Sequence, residues 1–182
     1  MLDLAGRERK EKANRKRIFK LIEQIPEGIP NGWESRTLAV GGLMYVGFSE
    51  LHPEQLICIS SQGQSLIDCT TGKKRYVEEW FDEDNLTAYT DGPESEEVHI
   101  AGIEGGGLRH FSKEGNGLEQ IAPIWPTEQV IFMPSGCSWW NAPKDCHIVF
   151  DGYEIRAYGF NKSGDFFLIA TSSELILFQK RQ

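Results

Sequence analysis

Beyond Trp33 the chain is written in short apolar runs of about four to seven residues, broken by Gly, Pro, Asn or Asp every eight to twelve positions. Runs of this length, bounded by turn residues, read as β-strands. Fourteen stand out, at 36–40, 43–49, 55–60, 65–69, 74–80, 86–89, 97–102, 107–111, 118–121, 129–133, 147–150, 154–160, 165–171 and 174–179. No stretch after residue 33 carries a convincing amphipathic helical period. The spacing predicts a mainly β body, folded as a propeller-like assembly or as a barrel or sandwich.

The first 25 residues obey a different rule. From Arg7 to Lys20 there is no Gly or Pro, and the segment is built of Lys, Arg, Glu and Ala, all good helix formers. Glu8 and Lys12, and Glu11 and Arg15, are spaced i,i+4 with the acid first, the favourable order. Apolar residues enter late. Ile18, Leu21, Ile22 and Ile25 form one helical stripe suited to packing on the body, while residues 7–17 hold only Ala13 as an apolar side chain. The pattern predicts a helix whose first half is solvated and whose second half docks. Pro26, Gly28, Pro30 and Gly32 end it. The organisation expected is therefore a basic N-terminal α-helix in 1–25, a connector in 26–33 and a single all-β domain in 34–182.

Composition sharpens this picture. The chain has 182 residues, 40% hydrophobic and 25% charged, which suits one globular domain and excludes a disordered or fibrous chain. No apolar run reaches the roughly 18 residues of a membrane span, and no apolar stretch follows the basic start as a secretory signal requires. A cytoplasmic location is expected, with Cys58, Cys69, Cys137 and Cys146 as free thiols. The net charge of −8 is unevenly spread. Eight of the 19 bases and four of the 27 acids fall in residues 1–25, a balance of +4, which leaves −12 for the rest. A body at −12 repels phosphate, so nucleic acid is not the expected partner. The basic arm is expected to lie on its own acidic body, to stay solvated, or to meet an acidic partner.

Two segments echo each other. Leu56-Ile-Cys-Ile-Ser-Ser-Gln-Gly63 is followed by Ser65-Leu-Ile-Asp-Cys-Thr-Thr-Gly72, and the run from Ile155 to Gly164 is followed by Phe166-Phe-Leu-Ile-Ala-Thr and Leu175-Ile-Leu-Phe. Each reads as strand, polar turn ending in Gly, and strand. This resembles the inner hairpin of WD-like β-propeller blades, without the Gly-His and Trp-Asp markers of that family. Gly63 and Gly164 lie 101 residues apart with Gly117 between them, which is room for three units of about 50 residues. Propellers normally have four or more blades. The resemblance implies a partner-scaffolding role by analogy.

The candidate chemistry is sparse. If residues 97–111 form a hairpin turning at Glu104-Gly105, His99 and His110 face each other with Cβ atoms about 5 Å apart. With Glu104 they would make a metal site of a hydrolase. A slip to Gly105-Gly106 pairs His110 with Ala101 and abolishes it. Cys137 and the adjacent Cys146-His147 match no zinc spacing, and neighbours on a strand point to opposite faces. Trp125 and the pair Trp139-Trp140 flank an apolar strand. Adjacent side chains diverge, so at least one ring of the pair is expected near the surface, as an interface or sugar-stacking residue, or else both cap the core. Three acidic clusters within 78–97, namely Glu78-Glu79, Asp82-Glu83-Asp84 and Glu94 with Glu96-Glu97, supply eight acids and read as a solvated negative face. Gly105-Gly106-Gly107 lacks the Lys-Ser/Thr of a phosphate loop and reads as a turn.

No nucleophile–base pair converges. The sequence favours a non-enzymatic protein-interaction domain with no cofactor, binding another protein or itself through its acidic surface or the aromatic surface of Trp139, Trp140 and Trp125. The alternatives are the metal-dependent hydrolase of His99, His110 and Glu104, and a carbohydrate or small-ligand binder using Trp139 and Trp140.

Overall fold

The computed structural model describes residues 4–91 and 95–181. The chain is mainly β, with 46% strand and 12% helix, and among the described residues the strands form four sheets of which none closes into a barrel. After helix α1 (Leu4–Ile22) come β1 (Trp33–Ala39), β2 (Leu43–Phe48), β3 (Gln55–Ser60), β4 (Gly63–Asp68), β5 (Lys74–Tyr76), β6 (Phe81–Asp82), β7 (Thr87–Tyr89), β8 (Glu97–His99) and β9 (Ala101–Gly102). The second half holds β10 (Gly117–Ile124), β11 (Thr127–Met133), β12 (His147–Gly152), β13 (Ala157–Phe160), β14 (Phe166–Ala170) and β15 (Glu174–Lys180).

All named strand pairings are antiparallel, and the sheets run β5-β4-β3-β2-β9, β6-β7-β8, β10-β11-β12 and β1-β15-β14-β13. The first strand thus completes the last sheet, with Trp33 opposite Lys180 and Ala39 opposite Glu174. Both echoing segments form hairpins: β3–β4 turns between Ser60 and Gly63, and β13–β14 around 161–165. Buried Asn161 organises the second turn. Its Oδ1 accepts from the Gly164 and Phe166 amides, and its Nδ2 donates to the Pro53 carbonyl and Ser163 Oγ.

The sheets stack face to face, and the alternation along β14 shows how. Phe166, Leu168 and Ala170 point into a cluster with Val46, Leu56 and Ile67 of the five-stranded sheet. Phe167 and Ile169 point the other way, against Trp33, Leu118, Val130 and Phe132. A strand buried on both faces reads as a continuous apolar run, as this one does. The second cluster is aromatic, with Phe167 stacked on Phe178 at 4.2 Å and edge-on to Trp33 at 4.8 Å. The far face of the five-stranded sheet packs Tyr45, Ile57 and Ile59 on Ala88, Val98 and Ile100 around β6–β8. The far face of β10–β12 packs Ile131, Met133 and Ile148 under the end of α1.

The helix runs over Leu4–Ile22, within the expected 1–25, and at its end the Gln24 side-chain amide donates to the Lys20 carbonyl at 2.6 Å. Ile22 and Ile25 are buried, Ile18 and Leu21 half-buried, and every residue from Arg7 to Arg17 is exposed. The connector is stitched to the edge of β12, since Ile148 N donates to Pro26 O and Gly28 N to Ile148 O.

The expected 97–111 hairpin does not form. β8 pairs with β7, placing His99 opposite Thr87, and β9 crosses to pair with β2. Gly47 permits this crossing, because a Cβ there would stand 2.4 Å from the His99 carbonyl oxygen. Residues 107–111 form no strand of their own. Arg109 bridges Phe160 and Phe111 bridges Gly117. Gly159 lets that segment approach, since its Cβ would meet Leu108 Cβ at 2.4 Å. Of the run 74–80, only Lys74–Tyr76 forms a strand, β5, paired with β4.

Candidate functional site

The candidate tryptophans Trp125, Trp139 and Trp140 occupy the two ends of the sheet β10–β12. At one end, the loop between β11 and β12 folds Trp139 beneath α1, where it is 2% exposed and its Nε1 donates to Glu119 Oε2 at 2.9 Å. Trp140 is 42% exposed. The two rings do not diverge. They lie in a turn closed by Asn141 and Ala142 amides onto the Ser138 carbonyl, and their centroids are 4.0 Å apart. The divergence rule holds on a strand, and this backbone is not one. The Arg17 guanidinium sits 5.8 Å from the Trp140 ring centre, a cation–π distance. The indoles therefore cover each other and leave no aromatic cleft between them for a sugar.

At the opposite end, β10 and β11 meet in a tip closed by the cis peptide Trp125–Pro126. Ile124 pairs with Thr127, and Glu128 pairs with Gly152, so Tyr153 leaves β12 beside that tip. Trp125 is 79% exposed, and Ile124 and Tyr153 are each 60% exposed. Glu128 braces the tip by accepting from Gln120 Nε2 and from the Ile155 amide. Three large apolar side chains thus project from one end of a braced sheet. Single exposed apolar residues are ordinary, while a group of them is the usual anatomy of a binding patch.

The histidine centre is not assembled. His99 faces Thr87 and not His110, which stacks flat on Tyr158 at 4.5 Å. Glu104 lies exposed in a tight turn closed by Gly102 and Gly105. Among the described residues, no group of three or more His, Cys, Asp or Glu side chains is placed to hold a metal ion. All four cysteines are free thiols. Burial, reinforced by neighbouring Cys137 and Asp145, pushes the Cys146 thiol up to about 11.

The acids of 78–97 are not a uniform solvated face. Glu94 lies outside the described residues. Glu96 accepts from Ser49 Oγ and from the amides of Glu50 and Leu51, fastening the loop after β2. Glu97 accepts from the Tyr89 hydroxyl at 2.5 Å, which raises the tyrosine pKa. Asp82 caps a turn at Asn85.

A grouping with no local signature lies where three sheets meet. Glu50, Arg109 and Lys162 come from positions more than 50 residues apart. Arg109 Nη2 lies 2.5 Å from Glu50 Oε1, and Lys162 Nζ 2.9 Å from Oε2. The hydrogen bond from Lys162, with Arg109 adding to it, holds the Glu50 carboxyl below its ordinary pKa against the opposing effect of burial. They rim a cleft of about 310 Å³ with His99 at its edge and Phe48 and Phe160 in its floor. Its lining contains no hydroxyl or thiol nucleophile. A carboxylate bracketed by two cations is a poor base, so the cluster serves as a surface clamp worth about 1 kcal/mol or less per pair.

Compared with protein-family models, curated proteins and solved structures, the chain matches none. No helix among the described residues is long and apolar enough to cross a membrane.

Proposed function

We propose that this chain is a non-enzymatic interaction module that holds a partner protein at the tip of the β10–β11 hairpin. The observation that carries the reading is the projection of Ile124, Trp125 and Tyr153 from one braced end of a sheet. Tryptophan and tyrosine supply much of the binding energy where proteins meet, because each desolvates a large area at little entropic cost. The stacked sheets, with the first strand completing the last sheet, favour a propeller-like scaffold, an architecture used to present partner surfaces. Free thiols suit a reducing compartment such as the cytosol. The test is affinity capture on immobilised full chain, comparing wild type with Trp125→Ser at matched melting temperature. The same protein is expected on wild type and absent from Trp125→Ser. An identical set on both removes this patch as the contact.

A further inference from the structure

We propose that two copies of this chain associate edge to edge through β1, antiparallel about Ser35, so that the sheet β1-β15-β14-β13 continues into its copy. This does not depend on the hairpin-tip reading. An unpaired sheet edge presents a row of N–H and C=O groups that templates another strand, and natural sheets shorten, cover or break their edges. The other edges of this chain do so. The edge strands β5, β6, β8 and β9 have two or three residues each. The connector covers β12 at Ile148, and Arg109 bridges β13 at Phe160. Phe111 bridges the start of β10, which carries Pro123 at a register shift. The exception is β1. It is seven residues long, contains no Pro or Gly, and pairs with β15 in unbroken register from Trp33 to Ala39.

The outer edge of β1 is open. Val40 N donates to Ser173 O and Arg181 N to Gly32 O, which puts the bonds to β15 on the even-numbered residues. The backbone of Ser35 and Thr37 therefore points outward, and among the described residues nothing pairs with it. Glu34 and Arg36 on one face, and Ser35 and Thr37 on the other, are all exposed, so no neighbouring sheet overhangs the edge.

Charge selects the occupant and the register. Pairing about Arg36 sets two guanidiniums opposite each other, which is unfavourable. Pairing about Thr37 sets Arg36 against Leu38 and leaves the charges unmatched. Pairing about Ser35 sets Glu34 against Arg36 of the second copy twice, at the non-hydrogen-bonded positions where side chains stand closest. Glu34 has no ion-pair partner among the described residues. Arg36 is held in place by the Thr70 and Thr71 carbonyls, and its fork keeps further N–H groups for a carboxylate. The edge thus matches itself. A seam of one strand buries less than a stable dimer needs, so the association is weak and concentration-dependent.

Sedimentation velocity of the full chain, in a concentration series up to about 1 mM, tests this. The expected result is a reversible shift from monomer to dimer with no larger species, because a two-fold contact closes on itself. Ser35→Pro removes the central outward N–H and should leave a monomer at unchanged melting temperature. Glu34→Lys should raise the dimer Kd about tenfold or more, and the charge-swapped E34K/R36E should restore it. These two variants decide the matter if Ser35→Pro does not fold. Trp125→Ser should dimerise like wild type. A monomer at every concentration overturns the proposal, as does open-ended growth. So does a dimer that survives Ser35→Pro, one lost in Trp125→Ser, or an E34K/R36E pair no tighter than that of Glu34→Lys.

Discussion

The sheet β10–β12 carries a tryptophan at each end, and their environments are opposite. Trp139 is sealed beneath α1 among Ile22, Ile25, Ile131 and Cys146, with its indole nitrogen bonded to Glu119. Trp125 stands in solvent with Ile124. Residue type does not distinguish them. What distinguishes them is whether a later or earlier part of the chain returns to cover that end. The helix stripe and the 134–146 loop cover one. Burying an aromatic ring removes some 150–250 Å² from water, roughly 4–6 kcal/mol at 25 cal/mol per Å². The covered end is therefore a stability element, and the open end leaves its ring in water.

The largest expected effect lies at the covered end. Trp139→Ala should cost about 3–5 kcal/mol in urea unfolding, through the lost ring, the cavity and an orphaned Glu119 carboxylate. The arm should loosen with it, seen as a loss of helical circular dichroism. A cost under about 1 kcal/mol would mean that the two ends do not differ. The next effect is alkaline. Cys146, fully buried beside Trp139, is raised from 9.0 to about 11 by burial. The folded state keeps a proton that the unfolded chain loses above its own pKa. Its contribution is thus complete below about pH 9 and lost as pH rises through about 11, at most about 3 kcal/mol at 1.4 kcal/mol per unit. Cys58 and Cys69, raised to about 11 and about 12 mainly by burial, act in the same direction. Comparing the pH dependence of wild type and Cys146→Ala isolates the share at the covered end. Equal slopes would show that Cys146 has no such role.

Much of this architecture is legible in the sequence, for local reasons. The β character of the body follows from run length and turn residues, and the docking stripe of α1 from the 3.6-residue period at Ile18, Leu21, Ile22 and Ile25. What the sequence hides is non-local. Residues 97–111 carry the pattern of a hairpin, yet Gly47 and Gly159 admit backbones from other sheets, and the segment is divided among four neighbours, β7, β2, β13 and β10. The His99–His110 pairing disappears with that hairpin. The clamp of Glu50, Arg109 and Lys162 has no local trace, because only the stacking of the sheets assembles it. The Trp139–Trp140 contact depends on a turn geometry that the residue types alone leave open.

The smaller effects separate the two ends most finely. Trp140→Ala removes a half-exposed ring that touches Trp139 on one side and Arg17 on the other. It should cost about 1–2.5 kcal/mol, the sum expected of one aromatic pair and one exposed cation–π contact.

Trp125→Ala should change stability by less than about 0.5 kcal/mol, since an exposed ring has little packing to lose. Calorimetry and urea titration would read that near-null, and its value lies in what accompanies it. If partner capture is lost while the melting temperature stays fixed, the ring acts in binding alone. Should stability fall by 2 kcal/mol or more, Trp125 is a packing residue like Trp139, and the contrast between the ends collapses. The neighbouring substitution Ile124→Ser resolves a mixed result. On a binding patch it weakens capture together with Trp125→Ala. On a merely solvated turn it leaves capture intact, because a β-hairpin tip already fastened by Glu128 to Gln120 and Ile155 has no need of an apolar side chain to hold its shape.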